Sequence, residues 1–292
     1  MAELRRIAFE LPLTAPVGDV TDRSGWLIEG PEGWGESSPL PSWNDEERTA
    51  SEKSAIEAAT KPYPPPTRQS IEVNSMVPRV PPAIAVRIAQ AAGCSTVKIK
   101  VGDDQDEARV RAVVEAMPNV RIRLDANGSW DVEAARQNLA RFADLPIEYV
   151  EDPVATLDEL AELRQVTTVP LAAESCIRTI ADARRFRELD AADVVVIKPQ
   201  RIGGAQTALD AIAEANAPGV MSSALESSVG LATVLAAAAA LDESATFGAH
   251  GIGTAMLLQS DVSDDPLVPI GGSIEVRRVA PSEAWLAGAS SQ

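Results

Sequence analysis

Apolar and polar positions alternate along this chain with two different periods. Short runs rich in β-branched residues occupy 71–76, 96–101, 120–124, 147–150, 169–172, 193–197, 219–221 and 245–247. Between them, residues 106–117, 131–143, 157–166, 181–189, 205–215 and 228–241 carry apolar positions at helical spacing. Thr156-x-x-Glu159 and Thr179-x-x-Asp182 read as capping boxes that start two of these helices. The runs recur roughly every 25 residues, eight times over. Strand and helix alternating at one period predict a parallel sheet with crossover helices. Eight units predict closure into a barrel, an α/β fold of the TIM type. No long helical pattern follows the last run, so the barrel is expected to be a modified (β/α)7β form.

The flanks differ. Residues 4–13 read as a strand, and Gly30-Pro31-Glu32-Gly33 as a hairpin turn between 26–29 and 34–36. Residues 45–60, charged and alanine-rich, read as a surface helix. Lys61-Pro62-Tyr63-Pro64-Pro65-Pro66 ends any helix and reads as a linker. The expected division is a small α+β unit over 1–66, the barrel over 67–268, and a tail over 269–292. A last strand after Gly271-Gly272 is expected to bring the tail back to the N-terminal unit.

Composition narrows the function classes. The chain has 292 residues, is 45% hydrophobic and carries a formal net charge of −17 with no basic block. Nucleic acid and anionic membrane surfaces are therefore poor partners. No apolar leader is legible at the N-terminus, and the most hydrophobic stretch, 231–241, is too short for membrane insertion. Cys94 and Cys176 stand far apart, which fits a reduced, cytoplasmic protein. The one histidine, His250, rules out any two-histidine metal site. A metal would have to be held by carboxylates, which favours magnesium, or manganese, over zinc or copper.

In a barrel of this kind, chemistry gathers at the C-terminal ends of the strands. Those ends read Lys98 and Lys100, Asp125, Glu151, Glu174, Lys198, Ser222-Ser223, and then 248–251. Val97-Lys98-Ile99-Lys100-Val101 alone reads as an edge strand with solvated lysines. Five successive strand ends closing apolar runs with a charge read differently, because a charge buried there must be paired or metal-bound. Asp125, Glu151 and Glu174 are expected to converge as ligands of an oxygen-preferring ion. Helix capping by each carboxylate is the competing reading. A carboxylate substrate with a weakly acidic α-proton then needs a base, and lysine can serve. Lys98 beside Lys100 and a nearby divalent ion would both lower the base's pKa.

The strings Lys98-x-Lys100, Arg121-Ile-Arg123-Leu-Asp125-Ala-Asn127-Gly128, Tyr149-Val-Glu151-Asp152-Pro153 and Val196-Ile-Lys198-Pro199 resemble the enolase superfamily, muconate-lactonizing-enzyme subgroup. Ser222-Ser-Ala-Leu-Glu226-Ser-Ser-Val-Gly230, with Gly251-Ile-Gly253-Thr254, is most similar to its o-succinylbenzoate synthase family. Gly33-Trp34-Gly35-Glu36-Ser37-Ser38 carries the same likeness in the N-terminal unit. The resemblance implies an α+β capping domain, completed by the tail, over a (β/α)7β barrel. It implies Asp125, Glu151 and Glu174 as magnesium ligands, Lys100 as the base, Lys98 as its tuner and Lys198 as the cation across the site. It implies a lyase of menaquinone biosynthesis. That enzyme dehydrates 2-succinyl-6-hydroxy-2,4-cyclohexadiene-1-carboxylate to 2-succinylbenzoate through a metal-stabilised ene-diolate. An N-acylamino-acid racemase or dipeptide epimerase would use the same lysines, and a non-catalytic ligand-binding barrel is a third reading. The string Ala173-Glu174-Ser175-Cys176 departs from the family's usual Asp-Glu-Ser. Gapless alignment makes Glu174 the third ligand; a slip of one would put Ala173 there and impair the site.

The remaining expectations are minor. Asn127, Ser222, Ser223 and Gly251 are candidate substrate contacts. His250 reads as a loop histidine with a structural hydrogen bond, and Trp26, Trp34 and Trp43 as packing. Residues 14–21 read as a flexible lid loop. Arg201-Ile202-Gly203-Gly204 reads as a βα turn rather than a phosphate cradle.

Overall fold

A computed structural model of the protein describes residues 4–289. The chain opens with an antiparallel three-stranded sheet: β1 (Arg5–Val17), β2 (Val20–Gly30) and β3 (Gly33–Ser37). The β2–β3 turn falls at Pro31-Glu32, with Gly33 in the left-handed half of φ space at 121°. Helix α1 (Asp45–Thr60) starts at a capping box of Asn44 and Glu47. It is not the surface helix that its composition predicts. Glu47, Ser51, Ser54, Ala55, Ala58 and Ala59 are buried. Small residues on both sides explain this: a Cβ at Gly35 would lie 2.0 Å from the Ala55 carbonyl oxygen, so α1 rests directly on the sheet backbone.

The barrel follows. Its strands and helices run β4 (Ser70–Glu72), β5 (Ser75–Val77), α2 (Pro82–Ala91), β6 (Thr96–Lys100), α3 (Asp106–Ala116), β7 (Arg121–Asp125), α4 (Val132–Ala140), β8 (Ile147–Glu151) and α5 (Leu157–Arg164). They continue as β9 (Leu171–Ala173), α6 (Ile180–Leu189), β10 (Val194–Ile197), α7 (Pro199–Ile202), α8 (Ala205–Ala215), β11 (Gly219–Met221) and α9 (Ser228–Ala240). Both capping boxes read from the sequence are formed, at Thr156/Glu159 and Thr179/Asp182. Strands β5 to β11 make one parallel sheet in chain order. The run expected at 71–76 is divided. β4 pairs with β12 (Ser273–Glu275) near the C-terminus, and β5 pairs with the next barrel strand, β6.

Segment 246–251 closes the barrel. Phe247 and Gly251 donate backbone hydrogen bonds to Gly219 and Met221 on one side. His250 donates to Glu72, and Asn74 donates to His250, on the other. A 3-10 turn, Ala255–Leu257, comes next, and the only α-helix beyond it among the described residues is the short α10 (Glu283–Ala289), after β12, so no crossover helix follows the eighth strand directly. The architecture is a modified TIM barrel, (β/α)7β, carrying an α+β unit.

Strand parity sorts the side chains. Val97, Ile99, Ile122, Leu124, Val150, Val195 and Ile197 point outward into the main core beneath the helices. Tyr149, Ala172, Val194, Val196, Val220 and Phe247 fill the barrel interior. Arg123 shares that interior with no measurable exposure. Its guanidinium reaches Glu148 Oε2 at 2.7 Å and the carbonyls of Ala249 and Phe247 at 2.6 and 3.1 Å, and lies 4.7 Å from the Tyr149 ring centroid. It thereby ties β7 to the closing segment across the barrel.

The α+β unit is fastened to the barrel by buried polar contacts. Tyr63, in the expected linker, packs on the main core, hydrogen-bonds Thr233 and lies under Arg278. Glu36 accepts from Ser38 Oγ at 2.6 Å and from Ser227 Oγ, Ser227 N and Gly230 N at the start of α9. A Cβ at Gly230 would lie 2.9 Å from the Glu36 carboxyl carbon, so this contact requires glycine. Burial pushes the Glu36 carboxyl up to about 7. Folded protein thus holds a proton that an unperturbed glutamate releases near 4.5, and stability falls as pH rises through that window. Glu36→Gln should gain stability relative to wild type across pH 4.5–7, by about 3 kcal/mol at most. Thermal unfolding of both proteins against pH measures it; a constant offset would contradict the expectation.

Candidate active site

One cavity of about 830 Å³ lies at the C-terminal mouth of the barrel. Lys98, Lys100, Asp125, Asn127, Glu151, Glu174, Lys198, Ser222, Ser223 and Gly251 all line it. Parity is the reason: Lys98 and Lys100 alternate with the outward Val97 and Ile99, and Asp125 and Glu151 end their strands two residues beyond the inward Arg123 and Tyr149. The registers Lys100↔Asp125 and Asp125↔Glu151 then set the charged ends side by side.

The cavity floor is a lattice of ion pairs. Lys98 Nζ stands 2.8 Å from Glu151 Oε1 and 3.0 Å from Asp125 Oδ2. Lys100 Nζ stands 2.6 Å from Asp125 Oδ2 and 2.9 Å from Asn127 Oδ1. Lys198 Nζ is 2.5 Å from Glu174 Oε2, and Arg201 Nη1 is 3.2 Å from Glu174 Oε1. Burial alone would depress Lys98, yet Glu151 and Asp125 outweigh it and hold Lys98 well above the usual lysine range. Burial opposes ionisation of Asp125 and Glu174 too. Lys100 and Lys98 hold Asp125 below the usual range, and Lys198 and Arg201 do the same for Glu174. Glu151 goes up, through burial and the charges of Asp125 and Glu174, although Lys98 opposes.

These pairs alter one expectation. Among the described residues, no three carboxylate, histidine or cysteine groups stand in a ready ligating cluster. Asp125 and Glu151 meet at Lys98 Nζ, whereas Glu174 is drawn to Lys198 and Arg201, so the three share a cavity without converging on one point. The donor set nevertheless suits a hard divalent cation, since all three offer oxygen. Glu151 Oε2 is buried without a hydrogen-bond partner, a cost that a cation would remove. Capping does not explain the three: Asp131, Thr156 and Thr179 cap the helices that follow. Ala173 ends β9 in the hydrophobic core, so Glu174, not Ala173, faces the cavity.

Several residues at the site were not legible in the chain. Asp152 adopts φ 44° and is buried; its carboxylate accepts from the backbone of Glu174 and Ser175 at 2.8 and 2.9 Å. It fixes the loop that carries Glu174. The signal was Asp-Pro directly after Glu151, which also reads as an ordinary turn. Asp152→Ala should weaken divalent-cation binding about 10–100-fold, as loss of an outer-shell partner does. Calorimetric titration checks it; unchanged affinity would show that Glu174 needs no such support. Arg201 bridges Glu174 to Glu47 of α1, at 2.6 Å from Glu47 Oε1. Leu225 also lines the cavity in the left-handed region, at φ 66°, with Arg23 Nε donating to its carbonyl at 3.2 Å.

Other expected features resolve into structure. Residues 14–21 are not an irregular loop but the tip of the β1–β2 hairpin, and 16–20 line the cavity. Thr14 donates to the Leu257 carbonyl, docking that tip on the barrel mouth. His250 is buried, accepts from Met221 N through Nδ1 and is pushed down to about 3 by burial and by Arg68 and Arg123, so it stays neutral. Gly203 and Gly204 pack on α1, where a Cβ at Gly204 would lie 2.4 Å from Glu57 Oε1. Trp43 is buried and Trp34 packs on the core, whereas Trp26 is half exposed. No helix among the described residues is long and apolar enough to cross a membrane.

Known proteins share this arrangement of domains. Residues 8–59 match the enolase N-terminal domain-like family and residues 83–281 the enolase C-terminal domain-like family. The o-succinylbenzoate synthase of Thermobifida fusca (strain YX) is 44% identical over 286 residues, covering 96% of this chain and 90% of that one. The muconate lactonizing enzyme of Pseudomonas fluorescens, solved with muconolactone, superposes with a TM-score of 0.85 at 20% identity over 98% of each chain. The L-Ala-D/L-Glu epimerase of Bacillus subtilis superposes with a TM-score of 0.82 at 21% identity, over 96% of this chain and 97% of that one. The two structural likenesses show a shared fold. The sequence likeness goes further: the chain belongs to the enolase superfamily and, within it, to the o-succinylbenzoate synthase family.

Proposed function

We propose that the chain catalyses the magnesium-dependent syn-dehydration of 2-succinyl-6-hydroxy-2,4-cyclohexadiene-1-carboxylate to 2-succinylbenzoate, in menaquinone biosynthesis. The observation that carries this reading is the placement of Lys100 and Lys198 at one cavity, on strands that flank the three carboxylate-bearing ones. Asp125, Glu151 and Glu174 would hold the divalent cation, magnesium or manganese. Bound there, the ion supplies Lewis-acid stabilisation for negative charge developing on the substrate carboxylate.

The protein's own groups do the rest. Lys100 Nζ, as the free amine, takes the proton from the ring carbon that bears the carboxylate. That C–H pair becomes the new ring double bond, and the C–O bond of the adjacent carbon breaks. The hydroxide leaves with the proton from Lys100, as water, so one residue serves both halves of a syn elimination. Lys198, on the far flank, offers a cation to the charge that develops between those events. Lys98, held protonated by Glu151 and Asp125, keeps a positive charge beside Lys100 on the cavity floor. Asn127 Oδ1 gives the Lys100 side chain a second anchor. The product ring is aromatic, which makes the elimination downhill. With both cysteines unpaired, the reading places the reaction in the reducing cytoplasm.

N-acylamino-acid racemisation or dipeptide epimerisation is the second reading, because the same two lysines could act as bases on opposite faces of an α-carbon. Incubation of each substrate in deuterated water separates them. We expect loss of the cyclohexadiene acid and formation of 2-succinylbenzoate. Deuterium exchange and racemisation of N-acylamino acids, with the cyclohexadiene acid untouched, would sink the dehydratase. A protein that binds no magnesium and turns over neither substrate would favour a non-catalytic barrel.

A further inference from the structure

The lysines of the cavity floor are all engaged with carboxylates. One cation of the cavity wall is not. Arg79 lies in the connection between β5 and α2, is exposed and lines the same cavity. Among the described residues, no ion pair or hydrogen bond ties its guanidinium. Its position is nevertheless defined. Gly102, two residues beyond Lys100, has φ 122°, and a Cβ there would lie 3.3 Å from Arg79 Nη2 and 3.1 Å from Ser129 Oγ. The guanidinium therefore rests against the glycine backbone of the loop that continues from the lysine-bearing strand.

The rest of the upper wall offers an anion little. Val17, Val20, Leu40 and Leu225 are apolar, Asp19 carries the wrong sign, and Ser42 and Thr254 add only neutral hydroxyls. A carboxylate brought into this part of the cavity loses water and needs a cation. A planar fork with free N–H groups matches both carboxylate oxygens. The chain's net charge of −17 also disfavours an approaching dianion, which a free cation at the mouth counters.

We propose that Arg79 is the subsite for the second carboxylate of a dicarboxylate substrate, the one remote from the reacting carbon. This rests on the reading that the cavity takes a succinyl-bearing acid. One carboxylate lies with the floor lysines and the cation held by Asp125, Glu151 and Glu174. The other, at the end of the succinyl chain, pairs with Arg79. The residue sets affinity and specificity and takes no part in proton transfer.

Two ligands test it on the magnesium-loaded full chain. 2-Succinylbenzoate carries the distal carboxylate, and 2-butyrylbenzoate replaces it by a methyl group. Arg79→Met should weaken 2-succinylbenzoate binding about 10–100-fold by calorimetry, the span of a hydrogen-bonded charge pair. Binding of 2-butyrylbenzoate should hold within about twofold, and Arg79→Lys should recover part of the loss. In turnover, the loss should fall on KM more than on kcat. Equal weakening of both ligands, or of neither, would overturn the proposal while the dehydration stands. Wild-type protein that neither binds 2-succinylbenzoate nor forms it would overturn the functional reading, and the subsite with it.

Discussion

Lys100→Ala should lower the rate of 2-succinylbenzoate formation by about 10²–10⁴-fold, the contribution of a positioned general base. Lys100→Arg should be as inactive, because a guanidinium cannot lose its proton at neutral pH. Both variants should fold, since Lys100 is the more exposed of the two strand-β6 lysines and Asp125 keeps Lys98 as a partner. Single-turnover assay with the cyclohexadiene acid, together with a far-UV spectrum, separates chemistry from folding. Activity within tenfold of wild type would remove Lys100 from its role. Lys98 is a different case. Its ammonium neutralises both Glu151 and Asp125. Lys98→Met would therefore leave buried carboxylate without its partner, so a loss of stability joins the shift in pH profile that a tuning role alone predicts.

Arg123→Met should destabilise the fold by roughly 3–5 kcal/mol, the cost of breaking a buried ion pair from one side. The change leaves Glu148 with only the more exposed Arg121 as a partner and frees the carbonyls of Phe247 and Ala249. Those carbonyls belong to the segment that closes the barrel, which has few ladder bonds of its own. Urea unfolding measures the difference. Adding Glu148→Gln should give a double variant less destabilised than the sum of the singles, because both remove one interaction. A loss below about 1 kcal/mol, the scale of an exposed pair, would show that closure does not depend on this arginine.

Much of the architecture was legible because two periods dominate the chain. Where the strand period is clean, as in 96–101 and 120–124, parity places each side chain on one face. The floor lysines and carboxylates followed from that rule plus the regular interval between strand ends. Helix α2 escaped because Val80-Pro81-Pro82 reads as a breaker, yet Pro82 sits at the first helical position, where its missing N–H costs nothing. The eighth run, expected at 245–247, is bonded into the barrel at isolated points that reach Gly251, beyond the apolar pattern itself. Helix α1 was misread because alanine and serine are small enough to be buried against glycine backbone, and hydropathy does not register size.

Lys98, Lys100, Asp125, Glu151, Glu174 and Lys198 could be assigned to one end of one barrel from sequence alone. Spacing and alternation are local properties, and a parallel barrel turns them into position. Which of these groups touch was decided only by the tertiary structure. Side chains on neighbouring strands have several carboxylate and ammonium neighbours within reach, and burial with competing charges selects among them. The same holds for Asp152 beneath Glu174, Arg123 across the barrel, and Arg79 at the mouth. Each is an ordinary polar residue in the chain, and acquires a task only from residues tens to more than a hundred positions away.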